Sequence, residues 1–238
     1  DSIGNEANEE LRIALEHHRA HANEPEPALP FGEVVDLTDD DPRDYAALES
    51  PVTAVTADEL VSIIDRSNAI PAGHVVHPNL LRQLRKREEM VRGELAVDWG
   101  CGEALAFGSL LRDGVPIRLQ GQDSRRGTFS QRHAVIRDQV TEKDWIPLAH
   151  IDASATFEVW DSLLSEEAAL AFEYGYAVIR KQALVLWEAQ FGDFVNGAQI
   201  AIDQFLISSE TKWKQLSGVT LLLPHGYDGQ GPEHSSGR

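Results

Sequence analysis

The sequence holds one cysteine and one methionine in 238 residues. A single thiol, Cys101, cannot close an internal disulfide, which fits a reducing compartment such as a cytosol. Positive charge is scarce as well: 21 Lys and Arg face 39 Asp and Glu, a net charge of -18. That deficit argues against nucleic acid or an anionic membrane as partner, because both require basic surface. No apolar run approaches the ~20 residues of a membrane-spanning helix, and the start has no signal-peptide pattern. The dinucleotide fingerprint G-x-G-x-x-G and the phosphate loop G-x-x-x-x-G-K-[ST] are both missing. Internal repeats and low-complexity tracts are missing too. What remains is an ordinary globular composition, 42% hydrophobic and 25% charged, in a length that suits one or two domains.

Asn5 to Ala22 reads as a helix with Leu11, Leu15 and His18 on one side. His17, His18 and His21 lack a carboxylate at matching spacing, so a solvated face explains them better than a metal. Asn23 to Pro51 is rich in Pro and acid and reads as an irregular arm. Its run Asp36 to Asp41 lacks the Gly and closing Glu of a calcium loop. Thr56-Ala57-Asp58-Glu59 is a capping box before the stripe Leu60, Ile63, Ile64. His77-Pro78-Asn79 precedes a helix from Leu80 to about Leu95, whose basic stretch Arg82 to Arg92 is interleaved with Glu88 and Glu89 and reads as a solvated face.

A sheet domain is expected from Val97 to the end, with residues 1–96 as a helical and irregular connecting region. Trp99-Gly100-Cys101-Gly102 leads into a helix carrying Ala104, Phe107 and Leu111. Val115 to Leu119 reads as a strand, followed by the loop Gly121 to Phe129 and by His133. Trp145 to His150 reads as another short strand. Ser165 with Glu166 and Glu167 opens a capped helix, since acidic groups favour the first turn. Leu184 to Leu186 form an apolar strand that ends in the loop Trp187 to Phe194. A helix from Asn196 to about Leu206 and a strand from Gly218 to Leu223 follow, then a Gly- and His-rich loop. Helix and strand alternating in this way predict an open, mostly parallel α/β sheet flanked by helices, with ligands outside the carboxyl ends of the strands.

Three stretches, SEEAALAFEYGYA, LWEAQFGDFVNGAQIAIDQF and LLLPHGYDGQGPEHSS, resemble the pyrimidine-binding domain of thiamine-diphosphate-dependent 2-oxoglutarate dehydrogenases. The similarity is to the decarboxylating component, especially the actinobacterial 2-oxoglutarate decarboxylase form. It is dense from Val97 onward, thinner from His74 to Ala96, and rests on no diagnostic residue before Gly73. The loop Gly121 to Phe129 and His133 also look like their counterparts in that family, although His133 equally suits a structural role. The chain begins on Asp1 and stops just past its most distinctive loop, so it reads as a segment of a larger polypeptide, the domain incomplete at its carboxyl end.

The resemblance implies decarboxylation of 2-oxoglutarate in central carbon metabolism, the product passing to a lipoyl-bearing acyltransferase or leaving as the semialdehyde. It also implies thiamine diphosphate and magnesium as cofactors, a homodimer, and a bacterial cytoplasm. It places on Glu166 the carboxyl that hydrogen-bonds the cofactor's aminopyrimidine; by position alone Glu166 and Glu167 are equivalent capping carboxylates. A flat apolar face for the pyrimidine comes from Phe191 or Phe194, with Phe194 favoured, and Gln190 can reach polar atoms of substrate or cofactor. His234 matches a substrate-site histidine, with His225 a weaker candidate. The family's Gly-Asp-Gly metal and diphosphate pattern is missing, so those ligands are expected outside this segment. Gly237 stands where relatives usually carry Ala. Other readings are a 2-oxoadipate or pyruvate enzyme, or a non-catalytic scaffold.

Overall fold

The computed structural model describes residues 52–152 and 154–225, with positions 9, 12, 13, 15, 16, 19 and 20 of the first expected helix. Those positions are helical and exposed, and Arg12 meets Glu9 and Glu16, each at 2.6 Å, one turn to either side. They belong to a compact unit of their own, residues 1–48. His17, His18, His21, the run Asp36 to Asp41, His234 and Gly237 lie outside the described residues.

In the unit from Glu49 onward, helix α1 (Ala57–Ser67) begins at the predicted capping box: the Thr56 hydroxyl accepts the Glu59 N–H and the Glu59 carboxylate accepts the Thr56 N–H. Helix α2 (Pro78–Val91) starts earlier and stops sooner than expected. His77 Nδ1 caps its first turn through the Asn79 N–H, and Pro78 sits where no N–H is needed. Its end is set by Gly93, whose φ of 80° lets the Glu94 N–H turn back to the Glu89 carbonyl at 2.9 Å. Helix α3 (Trp99–Arg112) is capped by Asp98, whose carboxylate accepts the Cys101 N–H at 2.8 Å. Ile64, Met90 and Cys101 join the three helices in one apolar cluster. Gly108 lets α3 lie against α1, since a Cβ there would stand 2.2 Å from Ile63 Cγ2.

The four-stranded sheet has the order β4 (Phe157–Asp161), β1 (Ile117–Gly121), β5 (Leu184–Glu188), β6 (Val219–Leu222), and every pairing is parallel. Strand β1 (Ile117–Gly121) begins two residues later than the sequence suggests. Pro116 has no N–H for the ladder, although its carbonyl accepts the Leu184 N–H at 2.8 Å. Strand β4 (Phe157–Asp161) is the one major element the sequence reading misses. Its two acids obscure the pattern, but Phe157 and Val159 point inward at period two. Trp145 to His150 is corrected: Asp144–Trp145 (β3) pairs antiparallel with Ile136–Arg137 (β2), and Pro147–His150 turns as a 310 helix. Strands β5 (Leu184–Glu188) and β6 (Val219–Leu222) fall where expected. Between them the expected helix is a composite: a 310 stretch Gly192–Ala198, one α turn Gln199–Ala201, and a π segment Ile202–Leu206, then a short helix Ser209–Trp213. Among the described residues no helix is long and apolar enough to cross a membrane.

Adjacent residues of β5 face opposite ways, so the sheet has two cores. Leu119, Phe157, Val159 and Leu186 pack with Phe107 and Leu111 of α3. Trp187 and Leu221 pack with Ala169 and Leu170 of helix α4 (Glu166–Ile179) and with Val195, Ala198 and Ala201. Both faces are covered by helices, as a parallel sheet demands.

Asp138 ties the helical region to the β2–β3 hairpin. Its buried carboxylate accepts the N–H groups of Thr141 (2.7 Å), Val75 (2.9 Å) and Val140 (2.7 Å), with His74 Nδ1 at 3.6 Å. Those N–H groups, Thr141 first and then Val75 and Val140, hold its carboxyl far below the ordinary 3.8. A depressed carboxyl contributes stability above its unfolded value and loses it as pH falls toward the folded one. Hydrogen exchange on the full-length protein should therefore show protection of the Val75, Val140 and Thr141 amides, corrected for intrinsic rate, declining below about pH 4. Asp138→Asn should show weak protection at neutral pH and a flatter response, because an NH2 then opposes one of the three N–H donors. Unchanged protection in that variant would contradict this role.

Candidate active site

The carboxyl ends of the strands lie level. Gly121 of β1 is in register with Asp161 of β4 and Glu188 of β5, and Glu188 with Leu222 of β6. Four connections rise from this rim, and they carry every expected site residue that is described. Gly121 is required there, because a Cβ would stand 2.1 Å from the Glu188 carbonyl oxygen and 2.7 Å from Ser124 Oγ.

Ser165 caps α4 through the Ala168 N–H at 3.4 Å, and this sets Glu166 as the first helical residue. Position separates the two candidate carboxylates: Glu166 is half-buried and Glu167 exposed. The Glu166 side chain lies against Gly197, where a Cβ would meet Oε2 at 3.5 Å. Seven residues on, on the same face, Glu173 is fully buried and grips Arg118 of β1 with both oxygens, each at 2.9 Å from a guanidinium nitrogen. That clamp fixes the rotation of α4 and hence the direction of Glu166. Unlike Glu173, Glu166 has no ion-pair partner among the described residues.

The loop after β5 supplies the aromatics. Phe191 stands edge-on to Phe194 at 5.7 Å between centroids, and Phe129, from the loop after β1, stands edge-on to Phe191 at 5.8 Å. Phe194 keeps 37% of its surface exposed, high for a ring among other rings. Gln190 is held at both ends: the Thr128 hydroxyl donates to its carbonyl at 2.6 Å, and its Nε2 donates to Asp123 Oδ2 at 2.9 Å. The Gly192 N–H reaches the Pro224 carbonyl at 2.7 Å, so this loop is stitched to the end of β6. His225, just beyond, is exposed.

His133 is not grouped with these rings. It is half-buried with φ 45° and lines a small cleft with Arg87, Glu103 and Arg132. Burial, then the positive charges of Arg87 and Arg126, push its imidazole below the ordinary value, so it is neutral at pH 7.

Sequence reasoning passes over the residues that brace this rim. Arg132, almost fully buried, donates to both oxygens of Glu188 (2.6 and 2.7 Å), to Glu103 (2.5 and 2.8 Å) and to the Ser124 carbonyl (2.9 Å). Burial by itself lowers the guanidinium, yet Glu188 and then Glu103 outweigh it and the net shift is upward. The available signal was Glu188: an acid closing the apolar strand Leu184 to Trp187 needs a buried cation. Among the described residues no group of three or more His, Cys, Asp or Glu is placed to hold a metal ion. Arg132→Met should cost about 3–5 kcal/mol in chemical denaturation, because two buried carboxylates lose the cation they share. A loss below about 1 kcal/mol, the scale of an exposed pair, would show that solvent reaches this network.

Residues 96–238 match the sequence profile of the transketolase pyrimidine-binding domain. The 2-oxoglutarate dehydrogenase E1 component of Cupriavidus necator is 52% identical over 191 residues, 78% of this chain and 20% of that protein. The component of the same name from Geobacillus kaustophilus is 47% identical over 240 residues, 100% of this chain and 24% of that protein. A third, from Geobacillus sp. WCH70, is 50% identical over 206 residues, 86% of this chain and 22% of that protein. The chain thus spans only 20–24% of the length of these relatives. With a profile running from residue 96 to residue 238 and a parallel four-stranded sheet flanked by helices, the chain belongs to the transketolase pyrimidine-binding domain family.

Proposed function

We propose that the chain forms the pyrimidine half of the cofactor site in a thiamine-diphosphate-dependent enzyme that decarboxylates 2-oxoglutarate. The observation that carries this reading is Glu166: a half-buried carboxylate on a parallel-sheet rim, without a cation among the described residues, against Gly197 of the segment Gly192–Ala198 that also carries the half-open ring of Phe194. Its chemistry fits an aminopyrimidine. A carboxyl in a partly apolar setting can share a proton with a ring nitrogen, whereas a carboxylate saturated by Arg, as Glu173 is, cannot. Phe194 offers a flat apolar face and Phe191 backs it. When bound, thiamine diphosphate supplies the electron sink that lets a 2-oxo acid lose its carboxylate as carbon dioxide. Glu166 holds or shares the proton at the pyrimidine nitrogen, the phenylalanines fix the ring plane and keep water from it, and His234 donates to the substrate carboxylate or carbonyl.

The relatives' shared name, 2-oxoglutarate dehydrogenase E1 component, supports 2-oxoglutarate over 2-oxoadipate or pyruvate, and an enzyme over a scaffold. On this reading the diphosphate and magnesium are held by residues outside this chain, and a lipoyl-bearing acyltransferase receives the product. The setting is a bacterial cytoplasm. A homodimer is part of the proposal. Trp160 of β4, Leu163 (99% exposed) and Leu164 after it, and Phe172 of α4 are large apolar side chains left exposed, and on this proposal a second copy covers them.

Carbon dioxide release from 2-oxoglutarate by the full-length polypeptide, with thiamine diphosphate and magnesium, is the direct test. Glu166→Gln should lower kcat by about 10²–10⁴-fold with the fold intact, while Glu167→Gln stays near wild type. The reverse order would move the role to Glu167, and a wild type silent with every 2-oxo acid would favour the scaffold. Sedimentation of the double variant Leu163→Asp/Phe172→Asp should shift toward monomer; an unchanged dimer would place the interface elsewhere.

A further inference from the structure

Gln190 holds a polar atom with no assigned use. Its Oε1 is buried and has no hydrogen-bond partner, as is also true of Gln120 Oε1 and Ser124 Oγ on the facing strand and loop, whereas the Gln190 carbonyl and the Gly192 N–H of its own loop are paired. The direction of that amide is decided by chemistry. Asp123 Oδ2 lies 2.9 Å from the other end of the group, and an ionised carboxylate only accepts, so the NH2 must face Asp123 and the carbonyl oxygen must face away. Asp123 is itself constrained: its backbone is left-handed, with φ 59°, and its carboxylate meets Arg126 at 3.3 Å. The Thr128 hydroxyl fixes the Gln190 backbone from the same loop. Both ends of the residue are thus pinned by the loop after β1, and the acceptor Oε1 of this residue, next in sequence to Phe191, is left unused.

An unused buried acceptor selects for a donor in the ligand. A 2-oxo dicarboxylate has none at neutral pH, since its two carboxylates and its ketone only accept. An aminopyrimidine carries one exocyclic amine. Resting on the cofactor reading above, we propose that Gln190 Oε1 accepts from that amine, and that Asp123 is a positioning residue whose work is to keep the Gln190 amide from flipping. Gln190 then belongs to the cofactor side of the site and not to the substrate side. The amine and the ring nitrogen served by Glu166 would be read from two places, the loop after β5 and the first turn of α4.

The test is a double-mutant cycle in the full-length protein, with thiamine diphosphate affinity measured by tryptophan fluorescence or calorimetry, apart from turnover. Gln190→Met keeps the volume and removes the acceptor. It should weaken thiamine diphosphate binding by about tenfold, the scale of one lost buried hydrogen bond, and leave KM for 2-oxoglutarate within about twofold at saturating cofactor. Asp123→Gly suits the left-handed backbone and removes the carboxylate; it should weaken cofactor binding in the same direction and by less. In the combined variant the effect should not exceed that of Gln190→Met alone, because Asp123 acts only through Gln190. A raised KM with unchanged cofactor affinity would put Gln190 on the substrate, and two additive effects would deny Asp123 its positioning role. No change in either constant for Gln190→Met would mean that the oxygen is served by an enclosed water alone. Each of these overturns the proposal while wild-type binding persists, whereas failure of the wild type itself to bind thiamine diphosphate would sink the cofactor reading beneath it.

Discussion

The buried guanidinium of Arg132 governs how the rim of this sheet is put together. It lies between the end of β5, through Glu188, and α3, through Glu103, and it also holds the Ser124 carbonyl of its own loop. Taking three charges out of water is costly, and only near-complete hydrogen bonding of all three offsets it. The arrangement therefore tolerates one geometry. With that geometry fixed, the loop after β1 is held over the end of β5, and its residues Asp123, Thr128 and Phe129 come within reach of Gln190 and Phe191. The loop is also strained, with left-handed backbone at Asp123, Ser130 and His133. Such a conformation persists only where the surroundings over-determine it, and the Arg132 network supplies that over-determination.

Helix α4 shows how one element carries two acids to different ends. Glu166 and Glu173 share a face, two turns apart, with Leu170 between them in the apolar cluster. Glu173 is buried without exposure and saturated by Arg118, so it serves as an anchor. Glu166 stands where the helix emerges at the rim, against a glycine and short of a cation. Anchoring Glu173 makes Glu166 precise: a helix that could roll would not keep a carboxyl at its first turn in one direction.

Much of this was legible beforehand, for reasons that are local. Thr56 with Glu59, and Ser165 ahead of Glu166, announce helix starts through groups that satisfy nearby backbone N–H donors. Leu184 to Trp187 and Val219 to Leu222 announce buried parallel strands through unbroken apolar runs. Strand β4 stayed hidden because it runs along an edge and carries Glu158 and Asp161, which blur its period. The segment after Phe191 reads as one regular helix, yet it winds first as 310 and then as π, since packing of Val195, Ala198 and Ala201 on Trp187 sets its pitch.

The sequence by itself determined the class of fold, the caps, the order of the loops and the residues able to do chemistry in them, because each depends on neighbours a few positions away. It could not separate Glu166 from Glu167, which are alike as first-turn acids, nor place His133 in a cleft beside Arg87 and Arg132 and not among the phenylalanines. It gave no sign that Arg132 would meet Glu188 across 56 positions or that Asp123 would orient Gln190 across 67. Those are matters of register: only the alignment of Gly121 with Glu188 in the sheet brings the loops face to face, and burial then decides which polar atoms are satisfied and which are left without a partner.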